Sequence, residues 1–343
     1  MENSVLFFLL SFCFVANQVL ITNVNGDEQH RLVSALYVFG DSHVDAGNNA
    51  HLNTPAQANR WPYGIDLYNI TGRFTNGKNM ADFIATYLDL PMPPAYLNLT
   101  DFERSQITTG ISYASGACGI LNTTGVGECL TLSKQVGYFT STVTKDLPKA
   151  INDKEKLQKN LANSLYLVLI GNNDYSERMS NKNVTNKYCP QDYADYLLNE
   201  TSGHIKTLYE LGARKFVVLG ISTCGPQNYT KGCESRYYVD KLPQRLQKLQ
   251  SELFGSIFTI YDVYKVYNKI TGNPQKYGIT NTQEPCYVDH GPVCPDRSKY
   301  LKFDQYSHQT QVAYEIAAKE CFSGTACSPY TISQLAKASI INH

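Results

Sequence analysis

The residue best placed for covalent chemistry is Ser42. It follows the apolar run Ala35-Leu36-Tyr37-Val38-Phe39 across Gly40-Asp41, and Asp45 and Gly47-Asn48-Asn49 come after it. A short, uninterrupted apolar run of this kind predicts a buried strand. Open parallel sheets gather their chemistry just outside the carboxyl ends of the strands. A serine delivered there, with Gly40 letting the backbone bend, is a candidate nucleophile. Its hydroxyl needs a base to take the proton, a carboxylate to steer that base, and donors waiting where negative charge develops. Gly-Asp-Ser alone is also ordinary turn chemistry, so the assignment depends on what lies downstream. Val44 occupies the last position of a Gly-x-Ser-x-Gly elbow, which excludes that motif.

The elements that must position Ser42 follow in order. Residues 110–120 read as a second strand running into a Gly-rich turn. Residues 164–170 form the most hydrophobic strand, ending at Gly171-Asn172-Asn173-Asp174. Strands are also expected at 214–220 and 257–262. Helical periodicity appears at 78–88, with Asn76 as its cap, and at 131–142 and 193–211. A further helix over 234–254 is expected to be interrupted near Pro243. Gly212 stands where a helix-ending glycine should. Strands alternating with helices predict an α/β fold with a parallel sheet. No Ser-, Gly- or Pro-rich linker divides the chain and no internal repeat is found, so one domain over 27–343 is expected.

Taken together these blocks resemble the secreted plant GDSL-motif esterase/lipases of the SGNH hydrolase superfamily, over nearly the whole chain after its leader. The matching stretches are Phe39-Gly40-Asp41-Ser42; Pro62-Tyr63-Gly64; Thr71-Gly72-Arg73-Phe74-Thr75-Asn76-Gly77; Tyr113-Ala114-Ser115-Gly116; Gly171-Asn172-Asn173-Asp174; and the segment from Asp304 to His308. The resemblance implies a three-layer α/β/α sandwich, a five-stranded parallel sheet and flavodoxin-like topology. It implies Ser42 as nucleophile, His308 as base and Asp304 as the acid that orients it. Gly116, through its backbone N–H, and Asn173, through its side-chain amide, would form the oxyanion hole together with the Ser42 N–H. Four departures stand out. His43 replaces the family's usual leucine, and more readily fills that slot facing a loop than tunes entry to the site. Ser112 replaces an asparagine. Gln309 replaces a proline after the histidine. Asp304 and His308 are four positions apart where the family has three, so one extra residue lies between them. His290, beside Asp289, is a weaker candidate because adjacent side chains in extended backbone point apart.

Compartment is read from the ends and the cysteines. Residues 1–26 read as a secretory signal peptide, though Glu2 stands in a region that lacks Lys or Arg. Ser11, Asn17 and Gln18 interrupt the apolar run, which argues against a stable membrane span. Of the 10 cysteines, Cys13 leaves with the leader. The rest suggest neighbour pairs Cys118–Cys129, Cys224–Cys233, Cys286–Cys294 and Cys321–Cys327, with Cys189 left over. Disulfides are preferred to metal ligation because no Cys-x-x-Cys occurs. Sequons at Asn69, Asn98, Asn122, Asn183, Asn199 and Asn228 add N-glycosylation to the expectation. The 30 basic and 30 acidic residues cancel, which argues against nucleic acid as a partner. The expected protein is a secreted, extracellular carboxylic-ester hydrolase without metal or cofactor. It would act on acyl or acetyl esters, either lipid-like or on cell-wall polysaccharide. A GDSL-like glycoprotein with an impaired site, acting as a binding module, is the competing reading.

Overall fold

A computed structural model describes residues 31–221 and 233–340. The leader, the Cys224 half of the expected Cys224–Cys233 pair and the sequon at Asn228 lie outside the described residues.

The main sheet is built from β1 (Leu36–Gly40), β2 (Leu165–Leu169), β3 (Lys215–Gly220), β4 (Ile257–Asp262) and β7 (Cys327–Ser328), in the order β1-β2-β3-β4-β7. The first four are mutually parallel, while the short β7 pairs antiparallel to β4. The sheet is therefore mainly parallel and five-stranded as expected, with the short β7 antiparallel at one edge. Every residue of β1, β2 and β3 is buried, as expected of strands covered on both faces. Register is fixed by an aromatic row. Tyr37 pairs with Tyr166, Tyr166 with Phe216, and Phe216 with Phe258. Their ring centroids are 5.4, 5.6 and 5.0 Å apart in succession. A one-residue slip would turn this whole row to the opposite face.

The expected second strand becomes an irregular segment beside β1. Leu36 N donates to Thr109 O at 3.0 Å, Val38 N to Ile111 O at 3.1 Å, and Tyr113 N to Val38 O at 2.8 Å. Its outer edge bonds instead to the Pro94–Tyr96 turn, through Ser112 N to Pro94 O and Tyr96 N to Ser112 O. Counted as a strand, this segment gives the order 2-1-3-4-5 of flavodoxin-like sheets. A separate two-stranded sheet, β5 (Asn281–Tyr287) and β6 (Tyr300–Asp304), delivers the acidic end of the site.

Two helix details differ from expectation. The helix Met80–Tyr87 is capped by Asn79 in a capping box with Asp82. Asn76 instead accepts from Gln311 N and donates to Asp66. The helix Arg236–Glu252 runs through Pro243. Its buried stripe of Tyr238, Leu242, Leu246 and Leu249 continues across the proline, and that burial outweighs one missing backbone bond. Disulfides join Cys118–Cys129, Cys286–Cys294 and Cys321–Cys327, and Cys189 is free. Among the described residues, no helix is long and apolar enough to cross a membrane.

Candidate active site

Four chain segments converge at the carboxyl edge of the sheet. Ser42 sits in the turn leaving β1, and Asn173 stands in the first turn of the helix Asn172–Ser180 that follows β2. Gly116 lies in the turn after the segment beside β1, and Asp304 ends β6 with His308 just beyond it.

Ser42 Oγ and His308 Nε2 are 2.8 Å apart, and His308 Nδ1 lies 2.6 Å from Asp304 Oδ2. Asp304 is buried and saturated. Its Oδ1 accepts from the backbone N–H groups of Tyr306 at 3.0 Å and His308 at 3.1 Å, and its Oδ2 also accepts from the Tyr63 hydroxyl at 2.9 Å. Burial alone would raise this carboxyl; His308 and the hydrogen bonds hold it below its ordinary value. Asp304 is therefore a carboxylate able to orient an imidazole and stabilise its charged form.

The extra residue between Asp304 and His308 is absorbed in a tight reversal. Ser307 N donates to Asp304 O at 3.1 Å, and Phe303 N to His308 O at 2.7 Å. Ser307 takes the strain in the left-handed region, at φ 68°. Phe74, from the Thr71–Gly77 loop, lies against the imidazole with ring centroids 5.0 Å apart.

The two expected oxyanion donors fare differently. The Asn173 amide spends one N–H on Cys118 O at 2.9 Å, which fixes its orientation and leaves the other for the cavity it lines. Gly116 does not offer its N–H. That group donates to the buried Asp45 carboxylate at 3.0 Å, and the Gly116 carbonyl accepts from Asn49 at 3.0 Å. The next residue, Ala117, lines the cavity at φ 60°, and its N–H and that of Ser42 have no partner among the described residues. The family pattern Ala-Ser-Gly-Gly carries a second glycine at the Ala117 position, and that left-handed position was the available signal. Only the turn geometry tells which of two consecutive N–H groups faces inward.

His43 is not turned toward a loop as expected. It forms part of the cavity wall, its ring edge-on to that of His308 at 5.6 Å, and its Nδ1 is 2.8 Å from the Tyr314 hydroxyl. His290 is exposed, and Asp289 bonds to Arg60, Gln305 and Tyr306 instead. Tyr63 is the residue that sequence reading missed. In the sequence it stands in a Pro-Tyr-Gly loop, with nothing to link it to an aspartate 241 residues away.

These groups open on a cavity of about 470 Å³, walled by apolar Phe74, Ala117 and Val126 and by polar Gln57, Arg60 and Ser176. The Ser42 hydroxyl, the His308 imidazole and a free Asn173 N–H thus meet one space large enough for a small or medium acyl group.

The family model described as GDSL-like Lipase/Acylhydrolase matches residues 36–321. Among curated relatives, GDSL esterase/lipase 7 of Arabidopsis thaliana is 34% identical, the match covering 96% of this chain and 99% of the relative. GDSL esterase/lipase At5g55050 of the same plant is 33% identical over 88% of this chain and 90% of its own. GDSL esterase/lipase At2g04020, also from that plant, is 42% identical over 66% of this chain and 70% of its own.

Proposed function

The chain belongs to the GDSL-like lipase/acylhydrolase family and is a GDSL-type serine esterase/lipase, and from that premise we propose that Ser42, His308 and Asp304 are its catalytic triad. His308 takes the Ser42 proton as Oγ attacks the ester carbonyl carbon, and Asp304 steadies the resulting imidazolium. The oxyanion of the tetrahedral intermediate is received by the free Asn173 N–H and the backbone N–H groups of Ser42 and Ala117. Collapse breaks the bond to the alcohol oxygen, which leaves with the proton from His308. Water, deprotonated by the same imidazole, then releases the acid and restores Ser42.

The observation that carries this reading is the unbroken chain Ser42 Oγ, His308, Asp304 at 2.8 and 2.6 Å. The binding-module alternative drew on the lengthened Asp304–His308 spacing, which the turn at Ser307 accommodates. Substrates are acyl or acetyl esters, lipid-like or on polysaccharide, of a size the cavity admits. The protein is a secreted single hydrolase domain over 27–343 behind a leader at 1–26. Three disulfides among the described residues fit an oxidising compartment, and exposed Asn69, Asn98, Asn122, Asn183 and Asn199 are accessible to glycosylation.

Hydrolysis of p-nitrophenyl acetate and butyrate, with fluorophosphonate labelling, tests the site. Both are expected in the wild type and neither in Ser42→Ala. A folded wild type inert to both reagents, or a Ser42→Ala variant with full activity, defeats the assignment.

A further inference from the structure

One departure from the family pattern, His43 for leucine, meets the buried phenol of Tyr314. The Tyr314 hydroxyl lies 2.8 Å from His43 Nδ1, which a leucine could not supply. Nδ1 is the one hydrogen-bond partner of that buried phenol among the described residues, so the phenol donates its own proton to Nδ1. Leaving that buried O–H without an acceptor would be costly. The tautomer follows: Nδ1 of His43 is the acceptor, and Nε2 carries the hydrogen.

We infer that His43 is a specificity-determining residue whose Nε2–H, presented to the cavity beside Ser42, donates to an acceptor oxygen in the alcohol portion of the substrate. The favoured substrates are polyol esters, in which the carbon next to the acyloxy carbon carries an oxygen. The inference rests on the hydrolase reading above and deepens it.

Three observations support it. His43 adjoins the nucleophile in sequence and lines the same cavity. Nε2 has no protein partner among the described residues, yet it is not among the buried polar atoms that lack one. It therefore reaches open space. The alcohol side follows from chemistry. His308 must hand its proton to the leaving oxygen, so the alcohol lies against that imidazole, and the His43 ring is in edge contact with the same imidazole. The oxyanion donors Asn173 and Ala117 come from other loops. Burial, and secondarily His308, push His43 down to about 3, so it stays a neutral donor and does not oppose the charge arising on His308.

The test compares 2-methoxyethyl acetate with n-butyl acetate, which differ by one oxygen in place of a methylene. The readout is the ratio of their kcat/KM values. Intrinsic reactivity cancels when wild type and variant are compared, and the ratio does not depend on the fraction of active enzyme. His43→Leu is expected to lower the ether-over-alkyl ratio by about threefold to tenfold, the worth of one neutral hydrogen bond. Tyr314→Phe, which frees Nδ1 and lets the tautomers mix, is expected to lower it by a smaller factor. An unchanged ratio in His43→Leu overturns the inference whatever happens to the absolute rates. If His43→Leu does not fold, an unchanged ratio in Tyr314→Phe overturns it. A wild type that cleaves neither ester, and takes no fluorophosphonate, removes the hydrolase reading and this inference with it.

Discussion

Tyr63 donates its hydroxyl to Asp304 Oδ2 at 2.9 Å, on the same oxygen that His308 Nδ1 approaches at 2.6 Å. The phenol thus draws on the charge that steadies the imidazole. Removing it in Tyr63→Phe leaves the carboxylate one donor short and makes Asp304 easier to protonate. The acid limb of the kcat/KM profile is expected to move to higher pH, with kcat down by roughly threefold to tenfold, the worth of one hydrogen bond. A pH profile measured from 4 to 9 decides the point. A loss of rate with the limb unmoved would mean that Tyr63 only packs.

Asn173→Ala removes the side-chain donor proposed for the oxyanion hole. Its one side-chain bond among the described residues is to Cys118 O, within a turn already closed by the Cys118–Cys129 disulfide, so the fold should hold. The expected result is a fall in kcat of about 10²–10³ with a melting temperature near wild type. Activity within a factor of two of wild type would place the oxyanion elsewhere.

Much of this architecture was legible because its causes are local. Runs such as Leu165–Leu169 and Lys215–Gly220 are apolar enough to be buried strands in any α/β arrangement, and Ser42 and Asn173 follow strand ends where loops carry function. What escaped depends on distant partners. The Gly116 N–H is captured by Asp45, so the inward-facing group shifts by one residue to Ala117. Asn76 looks like a helix cap, but Asn79 reaches Asp82 first and frees Asn76 to hold Gln311. His43 faces the cavity because Tyr314, 271 residues away, offers a phenol. Pro243 reads as a break until the buried stripe on either side of it is counted.

Asp41 adjoins Ser42. One of its oxygens accepts from His43 N at 3.1 Å, while Oδ2 is buried without a partner among the described residues. Burial pushes the carboxyl up from 3.8 to about 7, against the opposing pull of the His43 N–H. The folded state therefore keeps a proton that the unfolded chain gives up near pH 4. Stability from this group is full below that pH and is lost as pH rises toward 7. Asp41→Asn abolishes the titration. Its melting temperature relative to wild type should climb between pH 5 and pH 8. A difference that stays constant across that range would show that Asp41 does not titrate there.

Arg73 ties three parts of the site together. Its guanidinium grips Asp82 through two bonds, at 2.7 and 2.8 Å, and donates to Ala46 O at 3.2 Å. Asp82 in turn completes the cap of the helix Met80–Tyr87, while Asn79 reaches Asp45 O at 3.2 Å. Phe74, next in the chain, is the ring that packs on His308. Both members of the ion pair are buried, so removing one strands the other's charge. Arg73→Met is expected to cost about 3–5 kcal/mol in denaturant unfolding, because Asp82 is left charged and unpaired. Adding Asp82→Asn, which keeps a side chain able to cap but carries no charge, should recover more than half of that loss. Strict additivity of the two changes would mean the charges are not coupled, and the bond to Ala46 would then have to account for the loss in Arg73→Met.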